Sequence, residues 1–169
     1  MKAYLDKMRG GAICPPRSNH RYILCSLIGG FLGIAIVSYS SLITQSPLIM
    51  APFGATCVLA FGAPDSPFAQ PRNIIGGHLL STLIGLVFLY SFGTAWWSMA
   101  GAVAVAIGVM QLTRTVHPPA GADPLVVITT VASWKFLLMP VFAGSILLVV
   151  CALVFNNFQK ERSYPKYWL

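Results

Sequence analysis

Apolar residues in this chain gather into long uninterrupted runs instead of alternating with polar ones. Four runs, Tyr22 to Ile43, Ile74 to Phe92, Trp97 to Leu112 and Phe136 to Phe155, are long enough, or nearly so, to cross a hydrocarbon core of about 30 Å as helices. Two further apolar stretches are broken near their starts. Residues 47–62 carry Pro52 and Gly54, and residues 117–133 carry Pro118, Pro119, Gly121 and Pro124. Proline removes a backbone donor and glycine loosens the chain, so each stretch is expected to begin irregularly and turn helical late. Thr56 and Asp123 are the natural N-caps, and Pro124 suits a first helical position, which predicts short helices over 57–63 and 124–133.

Small residues recur every four positions in three of the long runs: Gly29 and Gly33; Gly77, Ser81 and Gly85; Ala100, Ala104 and Gly108. Such stripes let helices approach closely in a bilayer. Offsetting the chain against itself by 67 residues matches 52–88 to 119–155 at nine positions, among them Pro52/Pro119, Gly54/Gly121 and Gly77/Gly144. The predicted fold is therefore an all-α polytopic membrane protein with two three-segment repeats, 22–92 and 96–158. A basic tail (1–21) precedes them and a second tail (159–169) follows.

If the broken segments traverse, the chain crosses six times and the repeats are inverted; if they re-enter, it crosses four times and they are parallel. Six crossings place Arg72 and Arg114 with both tails and leave Lys135 opposite. The positive-inside bias favours that arrangement, with both termini cytoplasmic. The starts of the two short helices then meet near the midplane.

Composition removes the soluble alternatives. Apolar residues make up 56% of the chain, against 11 Lys and Arg and 4 Asp and Glu, too few charges to clothe a soluble surface. The net charge of +7 resides mainly in the tails, which marks a cytoplasmic side and argues against nucleic-acid binding. The polar stretch before the first run, with Pro15 and Pro16, does not resemble a signal peptide. Cys14, Cys25, Cys57 and Cys151 form neither a disulfide framework nor a metal-binding pattern, and no cofactor motif is present. Trp96, Trp97 and Trp134 stand at span ends, where indoles prefer the interface.

Helix starts that face each other attract negative charge, and Pro-x-Gly-Ala loops can expose successive amides as an anion nest. Gly54, Ala55, Thr56, Gly121, Ala122 and Asp123 are therefore the expected substrate-binding positions, with Arg114 and His117 as charge partners. Arg72, Asn73 and His78 are candidates for gating or proton transfer, and Asp65 for gating one mouth. Bland roles stay open: Arg114 as an interfacial anchor, His117 as a turn ligature, His78 as a packed histidine and Asp123 as a simple cap.

The stretch Thr113-Arg-Thr-Val-His-Pro-Pro-Ala-Gly-Ala122 resembles the HPP family of integral membrane proteins, which is named for its His-Pro-Pro triplet. Residues 52–56 and 62–78 are similar to that family's first characteristic stretch. The resemblance implies four transmembrane helices and kinship with members that carry nitrite across cyanobacterial and chloroplast membranes. It makes a cyanobacterial inner membrane the expected location, and with the chain stopping at Leu169 it implies no nucleotide-regulated domain. The functional expectation is transmembrane transport of nitrite or a similar small monovalent anion, by a protein that is not an enzyme. The alternative is a non-transporting membrane protein, acting on lipid head groups or in assembly. The stripes of small residues make a homo-oligomer plausible.

Overall fold

The computed structural model describes residues 1–168, the Lys2 side chain aside. Among these residues all regular structure is helical: α1 (Lys2–Met8), α2 (His20–Thr44), α3 (Pro52–Gly62), α4 (Pro71–Phe92), α5 (Trp96–Leu112), α6 (Asp123–Thr129) and α7 (Ala143–Asn157). Three stretches are long and apolar enough to cross a membrane: α2, α4 and the helical segment Trp134–Asn157 that ends in α7. Helix α5, at 17 residues, spans about 25 Å. The two broken stretches supply the short helices α3 and α6, but α3 is already helical at Pro52, five residues ahead of the expected start at 57, and α6 ends at Thr129, four residues short of the expected 133.

Contacts sort the turns of the chain into two ends. At one end Tyr22 OH donates to the Gly62 carbonyl (2.8 Å), Arg162 Nη1 to the Phe61 carbonyl (2.9 Å) and Arg72 Nη2 to the Thr113 carbonyl (3.1 Å). These bonds gather the start of α2, the end of α3, the start of α4, the end of α5 and the C-terminal stretch. At the other end the Leu48 carbonyl abuts Gly144, and Tyr90 stacks on Trp134 with ring centroids 5.5 Å apart. The chain thus passes from end to end six times, and α3 and α6 with their irregular flanks make two of those passages. Arg72 and Arg114 lie with the C-terminal stretch, while Lys135 lies at the opposite end beside the exposed Trp134, as the six-passage arrangement requires.

The two halves agree in element order but not in detail. Helix α3 is regular from Pro52, whereas the second half enters its short helix through a 3-10 turn, Pro118–Ala122. The start of α4 is regular, whereas a distorted turn containing the extended residue Met139 (φ −137°, ψ 120°) precedes α7. The 67-residue offset therefore marks a shared order of segments, and the structure does not establish a repeat.

Small residues set the closeness of packing. A Cβ on Gly29 would stand 2.6 Å from the Phe61 ring, and one on Gly33 2.7 Å from the same ring, so α2 lies directly on α3. On α4, Gly85 meets the Pro124 Cα at 2.8 Å from its notional Cβ, and the Ser81 hydroxyl donates to the Ala120 carbonyl at 2.6 Å. The α5 stripe is a correction. Ala100 and Ala104 face outward and Gly108 has open space, while Ser98, Ala102, Ala106 and Met110 are buried. Small residues occupy several faces of α5, so four-residue spacing alone does not choose which face turns inward.

The C-terminal stretch, expected to be a tail, folds back as a strap over the α3–α4 connection. Tyr164 OH donates to the Ala69 carbonyl (2.7 Å), the Lys166 amide to Gln70 Oε1 (2.7 Å) and Tyr167 OH to the Pro67 carbonyl (2.8 Å). Lys166 Nζ pairs with Asp65 at 2.8 Å, which gives Asp65 a partner in the strap instead of a gating position. Burial pushes the Tyr164 phenol above its ordinary range, so it remains a donor.

Candidate functional site

Four polar side chains meet inside the apolar bundle, each fully buried: Thr56 of α3, His78 of α4, His117 and Asp123. They form a continuous line. Asp123 Oδ2 lies 2.8 Å from His78 Nδ1; His78 Nε2 lies 2.8 Å from Thr56 Oγ1; Thr56 Oγ1 lies 3.0 Å from His117 Nε2; His117 Nδ1 donates to the Phe68 carbonyl at 2.7 Å. Thr82 Oγ1 adds a donor to Asp123 Oδ2 at 3.3 Å, and the Phe53 ring meets His78 edge-on at 5.2 Å. The second carboxylate oxygen of Asp123, Oδ1, is buried with no hydrogen-bond partner among the described residues.

Local structure explains why these groups converge. Gly77 admits the 115–117 segment against α4, because a Cβ there would stand 2.7 Å from the His117 Cβ. His78, next along α4, is thereby aimed at the same segment. The 3-10 turn Pro118–Ala122 advances the chain just far enough for Asp123 to reach back to His78.

Both predicted N-caps are corrected. Helix α3 begins at Pro52, four residues ahead of Thr56, whose hydroxyl oxygen lies 3.2 Å from the Pro52 carbonyl and closer, at 2.8 and 3.0 Å, to the two imidazoles. Asp123 is the first residue of α6 and makes no side-chain cap. In a low-dielectric interior the gain from pairing a carboxyl with an imidazole outweighs that of a cap bond.

The expected amide nests are likewise absent from these positions. The Phe53 and Gly54 amides donate to the Met50 and Ala51 carbonyls at 3.1 Å each, and the Asp123 amide donates to the Ala120 carbonyl. Pro124 has no donor. Gly54 and Ala55 are exposed, and neither Gly54 nor Gly121 has a positive φ or a neighbour within 4 Å of a notional Cβ. The 3-10 turn runs straight into α6 and α3 starts inside a turn, so neither helix start presents free N–H groups.

Arg114 is exposed and its guanidinium makes no hydrogen bond among the described residues. With φ of 57° it closes α5, the Thr115 amide donating back to the Met110 carbonyl at 2.9 Å. Arg72 bonds the Thr113 carbonyl, and Asn73 Nδ2 donates to the Val116 carbonyl at 2.9 Å while its Oδ1 accepts from Tyr167 OH at 3.2 Å. These two residues hold the 113–116 turn against α4.

Beside the line lies an open, apolar groove of about 610 Å³ between α3 and the 118–126 segment, walled by Pro52, Ala55, Leu59, Pro118, Ala122 and Val126. Its two walls are the segments that the Thr56–His117 contact joins. Of the twelve sequence candidates, Thr56, His78, His117 and Asp123 come together; Ala55 and Ala122 line the groove; Gly54, Asp65, Arg72, Asn73, Arg114 and Gly121 stand apart. Sequence reasoning missed the pairing of His78 with Asp123. The signal was available, since these are a base and an acid in apolar segments, where each needs a polar partner.

An integral membrane protein with a buried acid–base line is the class that this fold and site define. The sequence profile of the HPP transmembrane region matches residues 15–165, and the chain belongs to that family. A transmembrane protein of Dictyostelium discoideum is 34% identical over 177 aligned positions, covering 98% of this chain and 57% of the relative. A second transmembrane protein of the same organism is 38% identical over 148 positions, covering 82% of this chain and 52% of the relative. The chain thus spans little more than half the length of these relatives. No solved structure matches it.

Proposed function

We propose that the chain carries nitrite or a similar small monovalent anion across the membrane. One observation carries the reading: the fully buried line Asp123–His78–Thr56–His117 inside an otherwise apolar bundle. Ionisable side chains at such depth are costly and mark ion or proton pathways. Irregular backbone such as 113–122 is tolerated at membrane depth where it is buried in protein or lines a pathway. The groove between α3 and 118–126 supplies the way, its walls belonging to the segments that the Thr56–His117 contact joins. The resemblance of residues 113–122 to nitrite-carrying HPP proteins supplies the substrate class. On this reading both termini lie in the cytoplasm of a bacterial cell, which the gathering of Arg72, Arg114 and the C-terminal stretch at one end supports.

The test is nitrite uptake into vesicles containing the purified protein. Uptake above that of protein-free vesicles, and its loss in His117→Ala inserted at equal density, is expected. Uptake no greater than in protein-free vesicles at every gradient and pH would overturn the reading in favour of a non-transporting membrane protein.

A further inference from the structure

The four contacts along the buried line are Asp123–His78, His78–Thr56, Thr56–His117 and His117–Phe68 carbonyl, at 2.8, 2.8, 3.0 and 2.7 Å. Each is a hydrogen bond only if it holds one proton, so the line needs four, the single Thr56 proton going to an imidazole nitrogen at 2.8 or 3.0 Å in preference to the Pro52 carbonyl at 3.2 Å. An ionised Asp123, two neutral imidazoles and the Thr56 hydroxyl supply three, with a net charge of −1. The fourth proton makes the line neutral. It resides on the Asp123 carboxyl, on His78 or on His117, and these three arrangements interconvert by hops between neighbouring atoms. The bond to Phe68 fixes a hydrogen on His117 Nδ1 in all of them.

No other charged group compensates this count. Asp123, His78 and His117 are the titratable members; Thr82, Ser81 and Phe53 are their uncharged neighbours. No Lys, Arg or Glu side chain bonds to any of them among the described residues.

Removing the fourth proton has two effects. It leaves a net negative charge in a buried, low-dielectric site, which repels a second anion. It also leaves one contact with two facing lone pairs, and every contact joins two different segments of the chain, so one junction must open.

We infer that this line is a one-proton site, and that its proton crosses the membrane together with the anion. The inference deepens the transport reading and rests on it. The step is balanced: the filled line accepts an anion beside it, the anion and one proton leave on the same side, and a proton from the uptake side refills the line. One negative and one positive charge move together, with no oxidant or reductant involved.

Two measurements on the full chain in lipid vesicles test it. In protein labelled with nitrogen-15 in histidine and carbon-13 in aspartate, magnetic resonance should count three protons over the two imidazoles and the Asp123 carboxyl, the Thr56 hydroxyl holding the fourth. A count of two, with both rings neutral and the carboxyl ionised, overturns the one-proton site without requiring any variant. In vesicles with a trapped pH dye and a clamped membrane potential, nitrite entry should acidify the lumen by one proton per ion beyond that of protein-free vesicles. Asp123→Asn should abolish that proton flux. Nitrite entry without protons overturns the coupling and leaves the transport reading standing. A proton count of three with no nitrite entry defeats the transport reading and the coupling, while the proton site survives.

Discussion

Gly77 sits directly against His117: a Cβ on Gly77 would lie 2.7 Å from the His117 Cβ and 3.0 Å from the Thr115 carbonyl oxygen. Gly77→Ala is therefore expected to push the 115–117 segment off α4 and to cost about 1–3 kcal/mol. Gly54→Ala, in open space within α3, should instead stabilise by about 0.5–1 kcal/mol, since alanine suits a helix interior better. Thermal unfolding in detergent compares them, and equal shifts would contradict the packing described for Gly77.

Thr56 should be irreplaceable by shape alone. Thr56→Val keeps the volume but strands His78 Nε2 and His117 Nε2, at about 1–3 kcal/mol for each unpaired group. Thr56→Ser keeps the hydroxyl and is expected to retain most of the stability and uptake. A valine variant as stable as the serine variant would mean that the hydroxyl does not hold the line together.

Arg114 is expected to be dispensable for the proposed transport. Its side chain is exposed and without hydrogen bonds among the described residues, so Arg114→Gln should alter stability by no more than about 0.5 kcal/mol. Nitrite uptake per correctly inserted molecule should stay near wild type. A large loss after that correction would return the arginine to the pathway.

Orientation follows from which end carries which charge. In a background with the exposed Cys14 replaced by serine, Lys135→Cys should react with an impermeant thiol reagent applied outside sealed cells, and Arg72→Cys should not. Reaction of both from outside would contradict the assignment of six passages to six crossings.

Tyr164 anchors the C-terminal strap through the Ala69 carbonyl, and Tyr164→Phe should cost about 1 kcal/mol in unfolding. The folded phenol titrates above its unfolded value of 10.0, so its effect on stability is level below pH 10 and falls above it as the unfolded phenol ionises. The phenylalanine variant should lose that part of the alkaline fall. Identical alkaline profiles for the two proteins would show that Tyr164 is not held protonated by the fold.

Long apolar runs and proline positions made the long helices and the two short ones legible, because each follows from local backbone chemistry. Gly29, Gly33, Gly77 and Gly85 were legible as contact positions for the same reason. What could not be read was rotation and reach. Nothing local states that α5 buries Ala102 and Ala106 and turns Ala100 and Ala104 outward. Asp123 looks like a cap beside Pro124, and only the fold reveals that His78, 45 residues earlier, claims its carboxyl. Tyr164 and Tyr167 lie in a polar stretch that reads as a tail, yet their hydroxyls reach carbonyls nearly a hundred residues upstream.

The strung-out origin of the buried line also orders its assembly during synthesis. Thr56 and His78 are separated by 22 residues and can pair as soon as the first half is inserted. The partners His117 and Asp123 arrive 61 and 45 residues after the groups they meet. Until then the newborn half holds a base with a vacant ring nitrogen in an apolar setting. The acid delivered by the second half relieves it, so each half serves as the other's folding partner.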